Sequence, residues 1–427
     1  MILIYGKGKV GKGIGGLCEY LHLEYEIKDD ADAIDYASYD RIIPSPGVPS
    51  HHSVYASGKI QSELDFAYEF LPKDFHIIAV TGTDGKSTTS WILYELLRRE
   101  FGDERVYLSG NFDVPFSETV LQILEKKQKR GYIVLEVSSF MSYQLKSFQA
   151  EYAVFTNFKR DHLNWHKDLK EYFDAKMNLL HVTKKGAILN NQVLTFAKEN
   201  GLDYTLPVNA TIYSTGEGSQ KSEFRDRTDG TDIIILGRKK YKLSDTNFSG
   251  IHNALNILSA TLVTNRMRIC SKRTKEYLKH ITGLPHRLEK IGEKNGVLFI
   301  EDSKSTSAQS LEAALSSFGS PLDKNLLLIV GGSDKGDTFH HLSEKFQKRA
   351  KAIVCIGATK NHFISIAEEK KIPYLSTDSL KDGVEWLYAQ AKRSDILMLS
   401  PGCASFGLFR DYLDRAVQFR EAIKKLP

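Results

Sequence analysis

Short apolar runs at 2–5, 76–81, 132–135, 153–156, 297–300, 326–330 and 396–399 alternate with longer amphipathic stretches through most of the chain. Strands separated by helical stretches pair in parallel through crossover helices, because a tight turn cannot reach a parallel neighbour. An α/β fold is therefore expected. At 427 residues the chain exceeds the roughly 250–300 residues that one core organises. Leu71-Pro72 lies in a polar stretch before the fresh strand at 76–81, and Gly283-Leu284-Pro285 closes a helical stretch before strands resume at 297–300. Three domains are expected, at 1–73, 74–283 and 284–427. Between 207 and 245 the sequence turns polar, with a strand-like 233–236, which predicts β-hairpins at the edge of the central domain.

The composition argues for a protein of the aqueous phase. No apolar run approaches the roughly 20 residues a membrane-spanning helix needs, and the run at 1–5 meets Gly6 too soon for a secretory signal. A net charge of +5 is modest for this length. The densest basic cluster, Lys126, Lys127, Lys129 and Arg130, has helical spacing and reads as a solvated helix end, not a nucleic-acid patch. The four cysteines form no CxxC pair, against a zinc site or a disulfide framework and in keeping with a reducing cytoplasm.

The strongest chemical signal is the stretch from Thr81 through Gly82, Thr83, Asp84, Gly85, Lys86, Ser87 and Thr88 to Thr89, between an apolar strand and a helix carrying Trp91, Ile92 and Leu96. Glycines let backbone N–H groups turn toward phosphate oxygens, a helix N-terminus adds a favourable dipole, Lys86 adds a point charge, and Ser87 or Thr88 can reach Mg²⁺. Val80 stands where the general P-loop has its first glycine. Other polar residues also fall at strand ends, where ligands of open α/β sheets bind: Glu136-Val137-Ser138-Ser139, Asn157 with Asp161-His162, Glu301-Asp302-Ser303-Lys304, 331–335 and Ser400-Pro401-Gly402. Lys176 sits inside the apolar stripe of Leu169, Tyr172, Phe173 and Leu180; it either snorkels outward or faces a polar cavity. The stretch from Gly6 to Gly11 fits GxGxxG after a strand, with Glu26, Asp29 and Asp30 some twenty residues on, and reads equally as a dinucleotide site, a UDP pyrophosphate site or a tight helix–sheet contact. Cys403 reads as a packing residue, not a nucleophile.

Together these residues resemble the Mur ligases, over the central and last domains almost continuously and over the first more weakly. The resemblance implies a Rossmann-like first domain that binds a UDP substrate, a central P-loop ATPase-type domain and a Rossmann-like last domain that binds an amino acid. Gly82 to Thr88 is similar to the family's ATP loop, and 135–140 to its magnesium-binding strand end, which implies Ser87 and Glu136 as metal ligands. Asp161-His162 with Ala175-Lys176 resembles the segment whose histidine and carbamylated lysine hold a second Mg²⁺. Gly250-Ile251-His252-Asn253 looks like the segment whose asparagine contacts ATP. Arg287 and 302–306 are similar to the D-glutamate-adding branch; the Asp-Asn-Pro-Arg motif of the diaminopimelate-adding branch is absent.

The implied reaction activates the carboxylate of UDP-N-acetylmuramoyl-L-alanine as an acyl phosphate that D-glutamate attacks, with Lys86, His162, Lys176 and Arg287 as catalytic groups. Asn253, Arg287 and Asp302 would engage ATP; Thr306, Lys335, Ser405 and Tyr412 the amino acid; Gly110 and Asn111 the uridine substrate; Ser138 and Lys304 are further substrate-binding candidates. A monomer is expected. The sequence departs from the family at Asp84 (usually Asn), Asn164-Trp165 (Asp-Arg), Ser307 (Asn), Gly407 (Asp) and Tyr412 (Phe), and carries extra residues before Gln144-Leu145. The rival readings are another amino-acid-adding Mur or folylpolyglutamate-type ligase, and a P-loop kinase or nucleotide sensor.

Overall fold

Every apolar run singled out above lies in or at the end of a strand of a largely parallel sheet. The computed structural model describes residues 1–163, 165–215, 226–235, 237–248, 250–334, 336 and 338–427, which divide into two units, Met1–Thr282 and Gly283–Pro427.

The first unit holds two sheets. β1 (Ile2–Tyr5), β2 (Tyr25–Lys28) and β3 (Arg41–Pro44) form a parallel sheet in the order β2-β1-β3. Helix α1 (Lys9–Tyr20) follows β1 so closely that a Cβ at Gly11 would lie 2.0 Å from the Gly6 carbonyl oxygen. The GxGxxG glycine thus serves helix–strand packing. Helix α2 (Glu63–Tyr68) carries Asp65, 1% exposed, whose carboxylate accepts the N–H groups of Lys146 (3.1 Å), Ser147 (2.7 Å) and Phe148 (2.7 Å). These charge-assisted bonds offset the acid's burial and tie the first sheet's layer to the second.

The second sheet comprises β4 (Asp74–Thr81), β5 (Val106–Gly110), β6 (Arg130–Glu136), β7 (Ala150–Phe155), β8 (Thr183–Asn190), β9 (Thr211–Thr215), β10 (Arg227–Thr228), β11 (Asp232–Ile235) and β12 (Arg238–Lys242), in the order β12-β11-β10-β9-β8-β7-β4-β6-β5. Helices α3 (Lys86–Phe101), α4 (Phe116–Glu125), α5 (Leu169–His181), α6 (Asn191–Glu199), α7 (Ile251–Arg266) and α8 (Ser271–His280) complete the unit. Ile92, Leu93 and Leu96 of α3 share a core with Ile257 and Leu258 of α7, whereas Phe116 of α4 and Phe173 of α5 belong to another. The expected edge hairpins are only partly seen. β11 and β12 pair antiparallel, but β9 and β10 continue the parallel array, and residues 216–225 and 236 lie outside the described ones. Of the basic cluster, Lys126 caps α4, Lys127 turns left-handed at φ +52° and Arg130 opens β6.

In the second unit β13 (Glu289–Lys294), β14 (Val297–Glu301), β15 (Leu326–Gly331), β16 (Ala350–Ile356), β17 (Tyr374–Ser376) and β18 (Ile396–Leu399) run in the order β13-β14-β18-β15-β16-β17, parallel except for β13. Its helices are α9 (Ala308–Ser317), α10 (Ser343–Arg349), α11 (Lys360–Lys370), α12 (Leu380–Ala389) and α13 (Tyr412–Lys424). Ser307, one of the departures, caps α9 through a reciprocal bond with Ser310. Among the described residues no helix is long and apolar enough to cross a membrane.

Candidate active site

In the first unit, β4 lies between β6 and β7, and the strand order reverses direction around it. The carboxyl end of such a strand opens a crevice. The turn leaving β4 is forced to use glycine: Gly82 has φ +148° and Gly85 +79°, and Cβ atoms there would lie 1.9 Å from Thr156 Oγ1 and 2.6 Å from Asn256 Oδ1. The end of β7 braces the turn, since Thr83 N–H donates to the Asn157 carbonyl (3.0 Å), Asp84 N–H to Asn157 Oδ1 (2.8 Å) and Thr156 Oγ1 to the Asp84 carbonyl (2.5 Å). Gly85 caps α3 without a side-chain bond, so the first-turn N–H groups, including those of Ser87 and Thr88, keep their capacity for an anion. Lys86 folds back, its Nζ donating to the carbonyls of Gly82 (2.9 Å) and Thr83 (2.8 Å).

Two buried ionisable groups meet this turn. Glu136, the last residue of β6, is 1% exposed. Its Oε1 accepts from Asn111 Nδ2 at 2.7 Å, whereas Oε2 has no hydrogen-bond partner among the described residues. Gly110 must be glycine for this approach, with φ +88° and a Cβ position 2.2 Å from the Glu136 carbonyl oxygen. Lys176, also 1% exposed, does not snorkel; its Nζ donates to the Gly82 carbonyl at 2.8 Å and lies 4.9 Å from the centre of the Tyr172 ring. Burial, then the neighbouring charge of Lys86, push the Lys176 amine well below its ordinary range, against the pull of Asp161, Glu136 and Asp84. His162, in a left-handed conformation at φ +54°, is lowered by burial first; Asp161 opposes this, while Lys176 and Lys86 add to it. These couplings gather Lys86, Glu136, His162 and Lys176 around one turn.

Behind them lie His166 and Glu171, which sequence reasoning did not single out. His166 Nε2 lies 2.9 Å from Ser139 Oγ and its Nδ1 lies 3.3 Å from Glu171 Oε1; burial lowers its pKa to about 4, so the ring is neutral. Ser138 Oγ accepts the Met141 N–H at 3.3 Å. Trp165 donates from Nε1 to the Pro46 carbonyl at 3.0 Å, docking this segment on the loop after β3; Asn164 lies outside the described residues. Asn253, on the first turn of α7, sits three residues before Asn256, which contacts Gly85 and accepts from Thr89 Oγ1 at 3.3 Å. The i, i+3 spacing of two asparagines on one helix face was the signal that could have found Asn256.

The second unit collects most of the remaining candidates at its own strand ends. Asp302, 5% exposed, accepts from Ser400 Oγ (2.7 Å) and the Leu288 N–H (3.1 Å); burial raises its pKa to about 7 despite the nearby Arg287. Lys304 Nζ lies 5.4 Å from the centre of the Tyr412 ring, and Thr306 follows in the same turn. Arg415, fully buried, donates to the carbonyls of Cys403 (3.0 Å) and Ser303 (2.7 Å) and so ties the stretch before Ser405 to the one before Lys304. Cys403 is a core residue. Lys335 lies outside the described residues.

The sequence matches the Mur ligase middle domain over residues 80–264 and the Mur ligase glutamate ligase domain over 286–403. It is 31% identical to a UDP-N-acetylmuramoylalanine–D-glutamate ligase of Aquifex aeolicus, over 99% of this chain and 98% of the relative. The like-named Hydrogenobaculum enzyme shares the same identity and coverage. Among solved structures, the fold resembles a UDP-N-acetylmuramate-alanine ligase from Thermotoga maritima (TM-score 0.61, 14% identity, 99% of both chains). It also resembles a pseudomurein peptide ligase type C from Methanothermus fervidus (TM-score 0.58, 16% identity, 99% of both chains).

Proposed function

This chain belongs to the Mur ligase family, and from that premise we propose that it joins D-glutamate to UDP-N-acetylmuramoyl-L-alanine, consuming ATP and releasing ADP and phosphate in the cytoplasm. The family's reactions depend on ATP and need Mg²⁺. The observation that carries the reading is Glu136 Oε2, a buried carboxylate oxygen without a partner among the described residues, beside a glycine turn whose helix has no side-chain cap. A buried acid in that state is costly unless a cation completes it.

Gly82, Thr83, Asp84, Gly85, Lys86, Ser87 and Thr88 would hold the phosphates, and Ser87, Glu136, His162 and Lys176 two Mg²⁺ ions. Bound Mg²⁺ supplies charge neutralisation at the phosphates. Burial lowers the Lys176 pKa toward the deprotonated, nucleophilic form of the amine; in that form its lone pair can add to CO₂ with loss of one proton, giving a carbamate with oxygens for a cation. Gly110, Asn111 and Ser138 are assigned to the uridine substrate, and Asn253, Arg287 and Asp302 to ATP. Lys304, Thr306, Lys335, Ser405 and Tyr412 are assigned to D-glutamate. The corresponding domains are 1–73, 74–283 and 284–427, in a chain that acts as a monomer.

A free carboxylate is a poor electrophile because oxide would have to leave. Transfer of the γ-phosphoryl group to the L-alanyl carboxylate creates an acyl phosphate; the D-glutamate amine attacks its carbonyl carbon, loses a proton, and phosphate departs. No protein nucleophile is required, so the residues position groups and offset charge. A phosphate-release assay with UDP-N-acetylmuramoyl-L-alanine, ATP and single amino acids tests this. Turnover with D-glutamate alone is expected. Activity with L-glutamate or L-alanine but not D-glutamate, or ADP formation without any amine, would overturn the assignment.

A further inference from the structure

Asp84 places a carboxylate on the phosphate turn itself, one residue before the glycine that opens α3. Two effects act on it in opposite senses. The positive end of the helix favours an acid there. An acid drawn to those N–H groups, however, competes with a phosphate for them and repels it. A second chain segment meets this conflict: Lys159, beyond β7, sets its Nζ 2.7 Å from Asp84 Oδ2.

The lysine's backbone is fixed from the same turn, its N–H donating to Thr83 Oγ1 at 3.1 Å. The two side chains are 62% and 50% exposed, so the pair adds little to stability. What it does control is where a negative charge sits relative to the uncapped first turn of α3.

We propose that Lys159 is a positioning residue for nucleotide binding: it holds the Asp84 carboxylate off the turn's N–H groups and cancels its charge, so that an acidic turn still accepts a triphosphate. This rests on the assignment of ATP to the turn. It makes Lys159 necessary only because residue 84 is an acid, and the dependence of one position on the other is what the experiment reads.

In the full chain, Lys159→Ala raises the KM for ATP about tenfold while kcat changes less than about twofold, and the defect shrinks as salt is added. Lys159→Arg restores the native value. Asp84→Asn lowers the KM about twofold, and in that background Lys159→Ala raises it by less than about twofold. If the tenfold defect persists in the Asp84→Asn background, Lys159 grips phosphate itself and the proposal falls; it falls equally if Lys159→Ala leaves the KM unchanged. Calorimetric titration of the native chain with ATP and Mg²⁺ separates the two readings. A native chain that binds no ATP overturns both, whereas binding with no effect of these substitutions overturns only the role of Lys159.

Discussion

Glu136 and Glu301 hold equivalent places in their sheets: each ends a parallel strand, β6 or β14, and each is buried. Their surroundings differ. Glu136 has one oxygen on Asn111 and the other without a partner among the described residues. Glu301 is fully committed, with Oε2 on His286 Nδ1 (2.6 Å) and Arg420 Nη2 (2.8 Å) and Oε1 on the Ser303 N–H (2.7 Å), and these bonds hold its pKa at about 2 against burial. His286, Glu289 and Glu301 offer the residue types of a cation site within 4.8 Å of one another, but the Arg420 guanidinium already lies 2.7 Å from Glu289 Oε2 and bridges both acids. An acid at a strand end therefore points to a ligand only where the fold leaves it short of partners.

The contrast can be broken in order of effect. Glu136→Gln and Lys176→Ala should each cut D-glutamate-dependent phosphate release by about 10³-fold. Bicarbonate should not rescue the alanine variant and a small carboxylic acid should do so in part. Urea unfolding of Glu136→Gln should shift by less than about 1 kcal/mol, because the altered oxygen has no bond to lose; full activity in either variant would remove the distinction. Glu301→Gln should do the reverse, costing about 3 kcal/mol in urea unfolding by removing the buried charge on which His286 and Arg420 converge, although Arg420 keeps Glu289.

The smallest effect is a change in pH dependence. Glu301 has a lowered folded pKa, so its stabilising contribution is present above about 4.5 and drains away as pH falls toward about 2. Asp302 is raised, so its protonated form favours the fold below about 3.8, and that contribution is lost as pH rises through about 7. Asp302→Asn should flatten the decline in stability of the second unit between roughly pH 4 and 8, read by chemical unfolding across that range. A decline as steep as in the native chain would mean that Asp302 is not the titrating group.

The sequence marked at least one strand in each of the three sheets, because buried parallel strands read as apolar runs, and it marked strand ends where polar groups gather, but it left β2, β3, β5, β8 and β16 unmarked. Apart from the family resemblance, it did not separate Glu136 from Glu301. That difference depends on Asn111, Arg420 and His286, which reach their acids through topology and not through local spacing. The same reason hid the contacts of His166 with Ser139 and of Arg415 with Ser303, which lie far apart in sequence. Lys176 was left open between snorkelling and a polar cavity, since helical periodicity gives the face of a residue but not what the neighbouring strand turn presents to it. Along 207–245, polar composition suggested hairpins and missed that β9 and β10 extend the parallel array.

The grip of Asp65 on residues 146–148 runs mainly to main-chain N–H groups, with the Ser147 hydroxyl adding one bond at 3.3 Å. Those main-chain bonds are blind to side-chain identity, whereas Lys146, whose Nζ donates to the Ile60 carbonyl at 2.8 Å, and Phe148, buried edge-on against Tyr68, add side-chain contacts to the same seam. Proline, which brings no N–H to offer, is the replacement that would take one of those main-chain bonds away at any of the three positions.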